Sequence, residues 1–83
     1  MTYTATIHDD LGTKTLAEQT FASIKAAKGF VRDELGANHP VAADSSKAAV
    51  IADNEFPTRH LRAWVRFGKI CWGGDCPKSW QRA

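Results

Sequence analysis

Residues 59–72, RHLRAWVRFGKICW, alternate in a way that sets which side of a strand faces inward. Leu61, Ala63, Val65 and Phe67 fall on one side of an extended chain; Arg62, Trp64 and Arg66 fall on the other. The first set suits a hydrophobic core. The second set, a tryptophan between two arginines, suits a binding surface. The pattern predicts one strand over about His60 to Ile70, with its basic, aromatic side turned away from the core.

Upstream, Tyr3, Ala5 and Ile7 alternate with threonines and His8, as a half-polar strand does. Asp9-Asp10-Leu11-Gly12 is a turn, because Asp bonds its own downstream backbone and Gly supplies a positive φ. Thr13 to Phe21 is then the return strand of a hairpin. Leu16 and Phe21 fall on opposite faces of it, and a bulge near Ala17 would reconcile them.

Ala22 to Leu35 reads as a helix. Ser23 is placed to cap it, and Ile24, Ala27, Val31 and Leu35 form one apolar stripe with Phe30 at its flank. Lys25, Lys28, Arg32, Asp33 and Glu34 are assigned to the solvent side. Gly29 costs the helix about 1 kcal/mol relative to Ala, a cost that close approach to the sheet would explain. Gly36 is the expected C-terminal cap.

Ala37 to Ser46 is a polar connection in which Pro40 forbids helix at His39. Lys47 to Asp53 is a short strand, and residues 54–58 are a loop. The expected order is therefore β-β-α-β-β: an α+β domain with one antiparallel sheet, a single helix packed on one face, and an irregular tail over residues 73–83.

Eighty-three residues make one domain, 1–83. A chain of this length buries only roughly 60% of its unfolded surface, so large side chains are at a premium. Trp72 and Trp80 are accordingly expected to cover an edge of the core, whereas Trp64, whose parity opposes the apolar set, is expected at a binding surface rather than as packing beneath Arg stems. No apolar run approaches the ~18 residues of a membrane span, and the first ten residues lack the pattern of a signal peptide. A cytosolic location is expected.

Net charge is +2 but unevenly distributed: residues 1–44 carry four Lys/Arg against six Asp/Glu, and residues 45–83 carry seven against three. Charge asymmetry of this kind bears on partners rather than on fold.

Cys71 and Cys76 cannot by themselves complete a zinc site; His60 would have to fold back as a third ligand and His8 or His39 join as a fourth, and the spacing does not favour that. A disulfide across the Gly73-Gly74 turn is geometrically open, but a cytosolic chain keeps its thiols reduced. No nucleophile has a base partner nearby in sequence, and no phosphate-binding glycine loop is present. No catalytic residue, metal ligand or cofactor is expected.

The basic stretch remains. Arg59, Arg62, Trp64, Arg66 and Lys69 combine the residue types enriched in protein–protein hot spots with those that attract phosphate and stack on bases. A protein partner, a nucleic-acid partner and self-association through the sheet are all compatible with them.

A lone 83-residue α+β domain with a hairpin, one helix, a second hairpin and no catalytic motif resembles the small anti-CRISPR proteins of phages and mobile elements, over Tyr3 to Ile70. The nearest comparison is with the type I inhibitors that bind the Cascade surveillance complex. The resemblance implies a stoichiometric, cofactor-free inhibitor that docks on a Cas subunit and blocks target-DNA binding or nuclease recruitment. Many such inhibitors are acidic phosphate mimics. This chain departs from them in its basic C-terminal half, so Arg59, Arg62, Trp64, Arg66 and Lys69 would meet an acidic Cas surface, or the acidic N-terminal half would dock instead. The alternative is a small nucleic-acid-binding accessory protein using the same residues.

Overall fold

The computed structural model describes residues 1–36 and 46–83. Of the expected polar connection from Ala37 to Ser46, residues 37–45 lie outside them. Five strands, β1 (Tyr3–Asp9), β2 (Thr15–Phe21), β3 (Lys47–Asp53), β4 (His60–Arg66) and β5 (Lys69–Gly73), form one antiparallel sheet in the order β2-β1-β3-β4-β5. Helix α1 (Ile24–Leu35) lies over β1, β2 and β3, and a short helix, α2 (Lys78–Arg82), closes the chain. The α+β class and the single antiparallel sheet with a helix on one face are as the sequence predicts.

The ends of α1 follow from their residues. The Ser23 hydroxyl accepts from the Ala26 N–H at 3.2 Å, and Gly36, at φ 81°, turns its N–H back to the carbonyls of Arg32 and Asp33. The β1–β2 turn is tied by Asp9, whose carboxylate accepts from the Thr13 N–H at 2.7 Å and the Thr13 hydroxyl at 2.6 Å. That hydroxyl, more than anything else, holds the Asp9 carboxyl below its ordinary pKa. Gly12 supplies the positive φ, 73°. The bulge falls at Leu16, where Ile7 pairs with Ala17 and His8 with Thr15. It does not bring Leu16 inward; that side chain stays exposed.

The core lies between the sheet and α1: Ala5 and Ile7 from β1, Ala49 and Ile51 from β3, Leu61 and Ala63 from β4, against Ile24, Ala27, Val31 and Leu35. Phe30 packs at its flank, its ring 5.3 Å from that of Phe21. Leu61 and Ala63 are buried and Val65 half-buried, so the inward side of β4 is as its alternation predicts.

Phe67 is the exception. The expected single strand from His60 to Ile70 is instead two strands joined by Phe67 and Gly68, with Arg66 paired to Lys69 across the turn. Both central residues have positive φ, 53° and 75°, which makes the hairpin a type I′ turn. Phe67 is therefore 95% exposed and not part of the core. A bulky residue in this left-handed region costs about 1–2 kcal/mol relative to its preferred conformations.

The tail is also more regular than expected. Residues 78–82 form α2, and Trp80 packs inward at 6% exposure, edge-on to the Tyr3 ring at 5.3 Å. Trp72, paired with Ala63 on the inward side, is half-buried under two cations: the Lys28 ammonium 4.8 Å and the Arg32 guanidinium 5.4 Å from its ring centre. Both tryptophans thus cover the core edge, as their size predicts. Both cations come from α1.

Lys28 is the second correction. Assigned to solvent, it is 1% exposed, because α2 folds over it. Its ammonium donates to the carbonyls of Trp80 (2.9 Å), Gln81 (3.1 Å) and Ala83 (2.9 Å). These are the carbonyls that the end of a helix leaves without partners. Burial, and then neighbouring Arg32, push its pKa below the ordinary lysine value, with Cys76 acting in the opposite sense.

Gly29 is the third. A Cβ at this position would meet nothing within 4 Å outside the helix's own nearby backbone, so close packing does not account for the glycine. Gly29→Ala is expected to stabilise the protein by about 1 kcal/mol, a rise in Tm of about 4–8 °C. A lowered Tm in a thermal scan would show that the methyl group has no room after all.

Candidate functional site

Among the described residues, no helix covers the face of the sheet opposite α1 and α2. Its side chains run in rows across the strands: Thr20, Thr4, Ala52 and His60; then Glu18, Thr6, Val50 and Arg62; then His8, Ala48, Trp64 and Cys71; and finally Arg66 and Lys69. The two halves of this face differ.

On the β1–β2 side the polar groups satisfy one another. Thr6 donates its hydroxyl to Glu18 at 3.1 Å, and the Thr4 and Thr20 hydroxyls lie 3.2 Å apart. Thr4 also donates to Asn54 Oδ1 at 2.9 Å, and Asn54 in turn donates to the Thr2 hydroxyl. On the β4–β5 side Arg62, Trp64, Arg66 and Lys69 are all exposed, and among the described residues no ion pair engages any of the three cations. Between the halves, Ala48, Val50 and Ala52 of β3 form a low, half-buried strip.

Trp64 is 41% exposed, yet its position is built. Its ring leans diagonally across β5 and lies over Gly73, where an added Cβ would stand 3.1 Å from one ring carbon and 3.5 Å from another. A glycine in an edge strand exposes backbone that an aromatic neighbour can cover, and here the cover is the candidate anchor itself. Gly74 then approaches β4 so closely that a Cβ would sit 2.5 Å from the His60 carbonyl oxygen. The neighbouring Asp75 carbonyl accepts from the His60 N–H at 3.0 Å. These contacts hold the end of β5 against the start of β4.

The structure therefore brings four of the five sequence-nominated residues together: Arg62, Trp64, Arg66 and Lys69 share one face. Arg59 stands apart. It precedes β4 in a loop tied by the buried Asp53 carboxylate, which accepts from the Glu55 N–H at 2.8 Å, and its guanidinium lies 4.9 Å from the Phe56 ring centre. Seven residues of nearly extended chain put it roughly 20 Å from Arg66.

Two members of the surface were not nominated from sequence. Phe67 was assigned to the core because the alternation runs unbroken through the turn. An eleven-residue strand is longer than most, and a Gly inside it was the available sign of a break. Cys71, opposite Trp64, enters the sequence reading as a zinc ligand or a disulfide partner and not as part of this surface. The two thiols point to different sides of the sheet, Cys71 to the open face and Cys76 toward the core, and both are free.

Among the described residues no group of three or more His, Cys, Asp or Glu side chains is placed to hold a metal ion. None of their helices is long and apolar enough to cross a membrane. No protein-family model, no curated protein and no solved structure matches the chain.

Proposed function

We propose that the protein is a non-enzymatic, protein-binding inhibitor that docks through the β4–β5 half of its open sheet face. The observation that carries this reading is Trp64, half-exposed and braced on Gly73, between two arginines that form no ion pair among the described residues. A rigid aromatic flanked by arginine is the composition of an interface hot spot. Its uncompensated cations call for an acidic partner surface. In size and architecture the chain resembles the anti-CRISPR proteins, and the proposed target is a subunit of a type I Cascade complex in the cytosol. Occupying it would block target-DNA binding or nuclease recruitment.

Nucleic acid is the weaker candidate. Binding of unpaired bases relies on successive stacking positions, and among the described strands Trp64 is the one Phe, Tyr or Trp ring on this face, beside the smaller imidazoles of His8 and His60. Glu18 would also lie toward the phosphates.

Trp64→Ala tests the proposal against purified type I surveillance complexes on a biosensor. Affinity is expected to fall about 100-fold, in the range of a central hot spot, while cooperative unfolding is kept. Unchanged affinity, or failure of the unaltered protein to bind any such complex, would remove the inhibitor reading. Loss of cooperative unfolding would place Trp64 in the fold rather than in an interface.

A further inference from the structure

Phe67 is where local preference and observed conformation conflict most. The first central position of a type I′ turn favours Asn, Asp or Gly, which tolerate positive φ, yet it holds a bulky aromatic at φ 53°. The fold gains nothing visible in return. The ring is 95% exposed and, among the described residues, makes none of the aromatic or cation–ring contacts found elsewhere in the molecule. On either side stand Arg66 and Lys69, exposed and, among the described residues, without ion pairs. Trp64 is three residues back along β4, about 10 Å away, so tip and face form one continuous surface.

We infer that Phe67 is the anchor by which the β4–β5 hairpin engages an acidic protein surface containing an apolar pocket for one aromatic ring. The inference rests on the protein-docking reading above and adds the residue that enters the partner. Strain retained at an exposed position, against local preference, is characteristic of binding sites. The two flanking cations define the rim of the pocket as acidic. An anionic bilayer fits less well. The β1–β2 turn reaches the same end of the sheet, where Leu11 is 80% exposed beside the exposed Asp10, and that carboxylate would face the lipid headgroups. The same carboxylate disfavours duplex DNA.

The test has two linked parts. Phe67→Asn gives the turn a preferred residue, so Tm is expected to rise by about 4 °C. A fall in Tm would mean that the ring supports the fold, and would overturn the assignment. In the second part, full-length protein carrying p-benzoylphenylalanine at position 67 is irradiated in lysate of a bacterium with a type I CRISPR system. The same probe at position 11 serves as control. The adduct is mapped, and the protein it identifies is purified for affinity measurement.

Crosslinking at 67 above the control, to an acidic surface whose purified protein loses about tenfold or more in affinity for Phe67→Asn, supports the anchor. If that protein is not a Cascade subunit, the anchor stands and the inhibitor reading falls. If the partner binds Phe67→Asn unchanged while Trp64→Ala abolishes binding, the anchor falls and the docking face stands. Absence of a specific protein adduct would overturn the anchor. So would Phe67-dependent binding to phosphatidylcholine–phosphatidylglycerol vesicles or to a duplex oligonucleotide instead.

Discussion

Lys28→Met is expected to destabilise the protein by about 3 kcal/mol and to release α2 from the sheet. The substitution keeps most of the apolar stem but removes all three donors. The carbonyls of Trp80, Gln81 and Ala83 would then lose their shared donor, at a contact that is buried for Trp80 and partly buried for the other two. Only the charged form of lysine offers three N–H groups, one for each of these acceptors. A five-residue helix has little intrinsic stability, so this clasp and the packing of Trp80 on Tyr3 are what hold it. Urea unfolding followed by tryptophan fluorescence would register both the lower midpoint and the exposure of Trp80. A loss below about 0.5 kcal/mol, within the range of ordinary surface substitutions, would show that α2 is held by packing alone.

Gly74→Ala is expected to be at least as damaging, by about 3 kcal/mol or more, through repulsion rather than lost contacts. The methyl group would lie 2.5 Å from the His60 carbonyl oxygen, 3.2 Å from Leu61 Cα and 3.3 Å from the Arg62 nitrogen, all backbone atoms that cannot rotate away. The φ of 155° adds strain, since side-chain-bearing residues rarely adopt it. Relief requires the end of β5 to swing away from β4, carrying Gly73 out from under the Trp64 ring. Circular dichroism melting and affinity should therefore fail together in this variant, whereas in Trp64→Ala affinity alone should fail. A Gly74→Ala protein with native Tm would mean that the two strands separate without cost.

The open face was readable from sequence because β4 obeys the simplest rule of strands. Leu61 and Ala63 are inside, Arg62 and Trp64 outside, and a period of two needs no knowledge of neighbours. The caps of α1 were readable for a similar reason, since Ser23 and Gly36 act on backbone a few residues away. Phe67 defeated the same rule: its alternation is right for a strand, and nothing about Phe announces a left-handed turn. Lys28 was misplaced because its environment is made by carbonyls more than fifty positions along the chain. A charged residue on a helix is solvent-facing by default, and only an unforeseen second helix makes it interior. Gly29 was given a packing role by analogy with close helix–sheet contacts, and the space around it removes that reason.

The strand order carries a consequence for how the chain comes together. Every sheet pairing but one joins strands adjacent in sequence. The exception is β1 with β3, which sets Tyr3 beside Asp53 across the whole of α1. Two ribbons, β2-β1 and β3-β4-β5, can form early from local contacts, and closing the seam between them carries most of the loop entropy. Chain synthesis delivers the N-terminal ribbon first, so β1 waits with a bare hydrogen-bonding edge and Ala5 and Ile7 uncovered. Until β3 emerges to occupy that edge, the nascent protein is open to pairing with the wrong strand, including β1 of a neighbouring copy.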